Sequence, residues 1–178
     1  HYVRGGIILV LTLATGCVSM DAHRTSHPEP NARLDQMLEL YDQAEVSGED
    51  CKEIWRADNA TIDCERILRE VERLNLEFPN NKRILMANAS LAFSAGRSDK
   101  AQFLLDELLA KPGAQPEAAI LRSRIALQEG NTTLAHRLIA RELMLAPDRA
   151  DLREAQAANS FFMGDYTDAR RHLSMAGR

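Results

Sequence analysis

The segments GRSDKA (96–101), GNTTLA (130–135) and GDYTDA (164–169) recur at one constant interval, each a glycine followed five residues later by an alanine. A fixed period between about 20 and 50 residues marks a repeat array, in which every unit buries its apolar face against its neighbours. Around each glycine the pattern is the same: an apolar helical stretch, a tight turn, a second apolar stretch and then proline. The glycine is expected to close the first helix in the left-handed conformation. Ser98, Thr132 and Thr167 or Asp168 are expected to supply the polar start of the second. The alanines fall where two helices approach closely, so a larger side chain there would force the hairpin apart.

Pro79, Pro112 and Pro147 follow the second helices at nearly the same period, and Asn80-Asn81, 113–116 and 148–151 are suited to turning the chain and capping the next helix. Together these features resemble the tetratricopeptide repeat, a family of helical hairpins with the same period. Its first small site falls on Ala89, Ser123 and Ala157 and its second on Ala101, Ala135 and Ala169, all of them small. Departures occur at the early aromatic site, occupied by Leu85, Ala119 and Arg153, and at the late first-helix site, occupied by Ala92, Ala126 and Ser160. The resemblance covers residues 82–178 and implies an all-α helical-hairpin solenoid of about three full repeats. It implies a scaffold for binding and no particular ligand.

Upstream, two further helices are expected at 33–45 and 63–77, the second with Ile67, Val71 and Leu74 in the register of the later second helices. This pair reads as a degenerate first repeat with a lengthened turn, so that 33–178 forms the solenoid. The insertion, 46–62, holds Cys51 and the single tryptophan, Trp55. Trp55 packs on its own domain or, if exposed, offers a binding anchor.

Positions 1–16 carry Arg4 and then an apolar run from Ile7 to Ala14, leading into LATGC (13–17). This resembles a bacterial lipoprotein signal, with cleavage before Cys17 and lipid on that cysteine; an ordinary secretory signal is the alternative. The run is too short to span a bilayer. Positions 17–32, with His23, His27, Pro28 and Pro30, have no apolar period and read as a tether. Val18 after the cysteine, where the resembling lipoproteins retained at the inner membrane carry aspartate, implies an outer-membrane, periplasm-facing location. The chain opens on His1, so its true start is expected elsewhere. With Cys17 lipidated, Cys51 and Cys64 remain, and in an exported chain a bond between them is expected, worth about 3 kcal/mol by loop entropy; two free thiols are the alternative.

The 178 residues carry a net charge of −4 with 45% apolar, 27% charged and 5% aromatic residues, giving no reason to expect nucleic acid. No zinc-hydrolase, phosphate-loop or nucleophile-elbow motif occurs, so no catalytic residue, metal or cofactor is expected. The repeat register instead directs Arg83, Met86, Ser90 and Phe93, then Glu117, Ile120, Arg124 and Leu127, then Asp151, Glu154, Ala158 and Phe161 toward a groove. An apolar stripe flanked by both charges suits an extended or helical peptide; the alternative for Phe93, Leu127 and Phe161 is core. The Lys and Asn set of a chaperone-type carboxylate clamp is missing from these sites. The last repeat offers Ala169, Leu173 and Ala176 near an uncapped end, where a partner or a second copy is expected. The chain looks like the lipidated repeat proteins of pilus or secretion channels, pilotins and tight-adherence pilus lipoproteins among them, with a secretin or pilus component as the expected partner. The second reading is an adaptor for cell-wall hydrolases or polysaccharide export.

Overall fold

The computed structural model describes residues 29–46 and 62–177. Cys17, Cys51, Trp55 and the histidines at 23 and 27 lie outside them. Among the described residues there are eight helices and no strand: α1 Pro30–Val46, α2 Ile62–Glu77, α3 Lys82–Ser94, α4 Ser98–Leu109, α5 Pro116–Gln128, α6 Thr132–Leu145, α7 Ala150–Phe162 and α8 Tyr166–Ala176. Each helix packs on the next, and α1, α3, α5 and α7 also pack side by side, so the first helices of successive hairpins share one layer. This is the expected tetratricopeptide-type solenoid.

The three glycines do what the repeat requires. Gly96, Gly130 and Gly164 have φ of 74°, 77° and 82°. Past each of them the next amide reaches back five residues, Arg97 to the Ala92 carbonyl at 2.9 Å, Asn131 to Ala126 at 2.8 Å and Asp165 to Ser160 at 2.9 Å. The glycine amides bond to Phe93, Leu127 and Phe161, each at 3.0 Å. These paired bonds satisfy the last carbonyls of α3, α5 and α7 and define a Schellman end.

The helix starts differ from expectation by a residue or more. Ser98 and Thr132 are the first helical residues, and the caps precede them: Asn131 accepts from the Leu134 amide, while Asp165 accepts from that of Asp168. Arg97 occupies the corresponding place with no side-chain cap. A short amide or carboxylate one residue before the helix reaches the third amide, which a hydroxyl inside the first turn cannot do. Asn81 caps α3 as expected, accepting from Arg83 and Ile84 at 3.1 and 3.2 Å. α1 begins at Pro30, inside the segment read as tether, because proline's fixed φ suits the first helical turn.

Two apolar clusters run along the hairpins. One joins α1, α2 and α3 through Leu34, Leu68, Val71, Ile84 and Leu91. The other runs from α3 to α7 and includes Leu85, Leu105, Ile125, Ile139 and Leu152. All six small-site residues are buried, from 0% exposure at Ala89, Ala101 and Ala135 to 7% at Ala169. Cys64 is buried on α2. Ala135→Leu adds volume at a site with none to spare, and thermal melting should show a loss of about 1–3 kcal/mol; an unchanged transition would refute the close approach assigned to that position.

Candidate peptide-binding surface

Two adjoining hollows lie along the layer of first helices. The larger, about 560 Å³, is walled by α1, α3 and the start of α5, with Leu38, Tyr41, Met86, Ala87, Leu91 and Ala118 as its apolar lining and Asp42, Lys82, Arg83 and Glu117 among its polar residues. The smaller, about 400 Å³, lies between α5 and α7 and is lined by Ile120, Ser123, Arg124, Leu127, Asp151, Glu154, Ala158, Asn159 and Phe162 among others. Successive turns of a helix present residues three and four apart to the same side, which explains why Arg83, Met86 and Ser90 share one wall and Ile120, Arg124 and Leu127 another.

Of the groove residues expected from the repeat, Arg83, Met86, Ser90 and Glu117 line the first hollow, and Ile120, Arg124, Leu127, Asp151, Glu154 and Ala158 the second. Phe93 and Phe161 line neither. Phe93 is half-buried against the main core, in keeping with the core alternative. Phe161 is 57% exposed; its ring meets Phe162 edge-on at 6.0 Å and Tyr166 at 5.4 Å. The neighbouring Phe162 enters the hollow instead. α1 contributes Leu34, Leu38 and Tyr41, which the repeat register could not assign because α1 and α2 lack the glycine marker. Their signal was the apolar spacing of α1 itself.

A bridge of charges separates the hollows. Arg149 donates to Glu117 at 2.8 Å and to both Asp151 oxygens at 2.6 and 2.9 Å, tying α5 to the start of α7. These bonds, the one to Asp151 foremost, raise the Arg149 pKa, and Arg149 in turn holds the Asp151 carboxyl below its usual range. At the outer edge Arg83 pairs with Asp35 of α1, and Lys82 donates to the Pro112 carbonyl at 2.7 Å. Arg124 and Glu154 carry no ion pair among the described residues. Within that set, the second hollow therefore offers an unpaired cation and an unpaired anion. Below it, Ser123 donates to Asn159 at 3.1 Å and Asn159 to the Ala135 carbonyl at 3.0 Å, locking α5, α6 and α7 together. The surface is thus rigidly backed.

Among the described residues no group of His, Cys, Asp and Glu could hold a metal ion, and no helix is long and apolar enough to cross a membrane. His172 is buried, and that burial lowers its pKa against the opposing pull of Asp168 at 3.5 Å; Arg171, Arg153 and His136 push the same way as burial. It serves the packing of the last hairpin, outside both hollows.

No protein-family model matches the chain, and no curated protein sequence does. Among solved structures it is similar to those of MamA. One aligns with a TM-score of 0.57 at 15% identity over 76% of this chain and 71% of that one. A second gives 0.58 at 14% identity over 82% and 72%, and a third, "MamA MSR-1 C2", 0.53 at 15% identity over 83% and 94%. At such identity the likeness establishes the shared helical-repeat fold.

Proposed function

We propose that the chain is a non-enzymatic scaffold that holds a peptide segment of a partner protein along its first helices. The observation that carries this reading is the pair of hollows with apolar floors, joined across the Arg149 bridge and edged by Arg124 and Glu154, which have no ion pair among the described residues. An apolar side chain of the partner fills the larger hollow, and a segment carrying both charges lies along the smaller, where it is fixed in register. The helical-repeat fold shared with MamA supports a protein-interaction role. The lipoprotein-like LATGC at 13–17 supports the further proposal that Cys17 anchors the scaffold by lipid to the periplasmic side of a bacterial outer membrane. There it serves assembly of a pilus or secretion channel.

Crosslinking in the native host, followed by capture of the full-length protein, tests both parts. A secretin or pilus component is expected in the eluate, and the double variant Met86→Lys, Ile120→Lys, which puts charge into both hollows, should reduce it at least tenfold. Recovery unaffected by that variant would remove the groove from the reading. Cell-wall hydrolases or polysaccharide-export proteins in the eluate would replace the assembly role with that of an adaptor. Cys17→Ser should move the protein out of the membrane fraction, and persistence there would refute the anchor.

A further inference from the structure

A third hollow, about 420 Å³, opens between the second helices α2 and α4 and shares no lining residue with the two along the first helices. Two further hairpins follow α4, so this hollow owes nothing to the end of the array. Asn75 of α2 and Asn88 of α3 form part of its lining, and Asn88 is 2% exposed. Each buries its side-chain oxygen without a hydrogen-bond partner, which costs free energy until something pairs with it. Gln156, two repeats beyond Asn88, does the same, so one such oxygen by itself marks no site. Here two meet on one hollow, and the lining also includes Leu76 and Phe103, 81% and 69% exposed. Phe103 holds the repeat position of the exposed Arg137 and Arg171, so the fold does not require an aromatic ring there.

We propose that this hollow receives an arginine side chain of a partner protein. The unmet oxygens are acceptors, so the occupant donates, and a half-turn of either amide presents its oxygen to an arriving donor. The charged residues of the lining are Glu72, Lys100 and Glu107. Lys100 holds Glu72, whereas Glu107 has Lys111, one turn further along α4, at 3.5 Å. The lining itself therefore carries one carboxylate in excess. A guanidinium meets all three features: several N–H donors for the oxygens, a charge for Glu107 and a flat face for the Phe103 ring. The next hairpin supplies the same chemistry from within. Arg122, one repeat beyond Asn88, is 8% exposed and donates from Nε at 3.0 Å to Asp106, one repeat beyond Glu72. One repeat further, Gln156 and Ala140 stand at these positions, and guanidinium and carboxylate are absent together. Between α2 and α4 the carboxylates are present, and the short Asn88 leaves the place of the guanidinium open. This site does not depend on the reading given to the two first-helix hollows.

The test is titration of the nitrogen-15-labelled full chain with acetyl-Leu-Arg-Leu-amide and with its lysine and citrulline counterparts, read at the side-chain amide signals of Asn75 and Asn88. The arginine peptide is expected to shift both signals saturably and to bind at least tenfold more tightly than the other two. Glu107→Gln and Phe103→Ala, at exposed positions, should each weaken it severalfold, and Met86→Lys with Ile120→Lys in the other hollows should leave it unchanged. Asn88→Leu should lose binding without lowering the urea midpoint, because it removes an unpartnered amide from the interior. Equal affinity for the three peptides, or binding indifferent to Glu107→Gln and Phe103→Ala, overturns the proposal. So does a midpoint lowered by Asn88→Leu, which would give the amide to the fold. No response to the arginine peptide also overturns it, and Asn88 signals that then move in Arg24→Gln or Arg56→Gln would assign the hollow to an arginine of this chain.

Discussion

Ile139→Ala is expected to lower the free energy of unfolding by about 2–5 kcal/mol, while Leu173→Ala, at the same repeat position, stays within about 0.5 kcal/mol. Ile139 is completely enclosed between hairpins, so truncation removes its transfer free energy and leaves a void that the close-packed neighbours fill only in part. Leu173 has solvent on the side where Ile139 has α7, so truncating it opens no cavity. Urea unfolding of the two variants beside the parent measures the contrast. Equal losses would mean that Leu173 is already covered in the isolated protein. The comparison is well controlled because the two residues differ in surroundings far more than in backbone setting.

Glycine and alanine carried the fold. A left-handed residue at the end of each first helix and a small residue at each close crossing are backbone requirements that few residue types meet, so they print a period into the sequence. Helix caps are less legible, since any of several adjacent polar residues can perform the task; Asn131 and Asp165 do so rather than Thr132 and Asp168. The groove was legible in the repeat register for ten of the residues placed toward it, from Arg83 to Ala158. It failed at the same first-helix position in two repeats: Phe93 packs half-buried on the core, and at the end of α7 Phe162 turns into the hollow while Phe161 packs on Tyr166. The share of α1 was hidden for another reason: its hairpin carries no glycine marker, so nothing in the sequence tied Leu38 or Tyr41 to the wall opposite Met86.

Buried polar residues were the least legible feature. Asn88, Arg122 and Gln156 occupy the same position in three successive repeats and are all buried, so this array places polar groups at one repeated interior position. Only contact reveals their use: Arg122 donates to Asp106 of α4 at 3.0 Å and so fastens α5 to the preceding hairpin. A sequence pattern records the polarity of such residues, and it assigns them to solvent because solvation is the commoner fate of a charged side chain. Asn88 and Gln156 make no such bond, each burying a side-chain oxygen without a hydrogen-bond partner.

Glu142 is the strongest case. Its position in α6 corresponds to Leu108 in α4 and Ala176 in α8, an apolar site, yet it is a glutamate with no exposed surface. One side-chain oxygen accepts from the Gln115 amide at 2.6 Å and the other from Arg141 at 2.9 Å, while Arg141 also reaches the Leu109 carbonyl at 3.3 Å. Gln115 precedes the first turn of α5 and has no side-chain cap of its own. Glu142 therefore satisfies the entry to α5 from a different helix, and a negative side chain there also complements the positive end of that helix. Glu142→Ala should cost about 1.5–3 kcal/mol for the charged hydrogen bond, and the void left by a fully enclosed side chain adds to it. Glu142→Gln keeps an oxygen for the Gln115 amide and should recover most of the loss in urea unfolding. Hydrogen exchange separates this account from simple packing: the Gln115 amide should exchange much faster in Glu142→Ala and remain protected in Glu142→Gln. A Gln115 amide equally protected in both variants would mean that Glu142 acts only by filling space, and the α5 entry must then be held by something else.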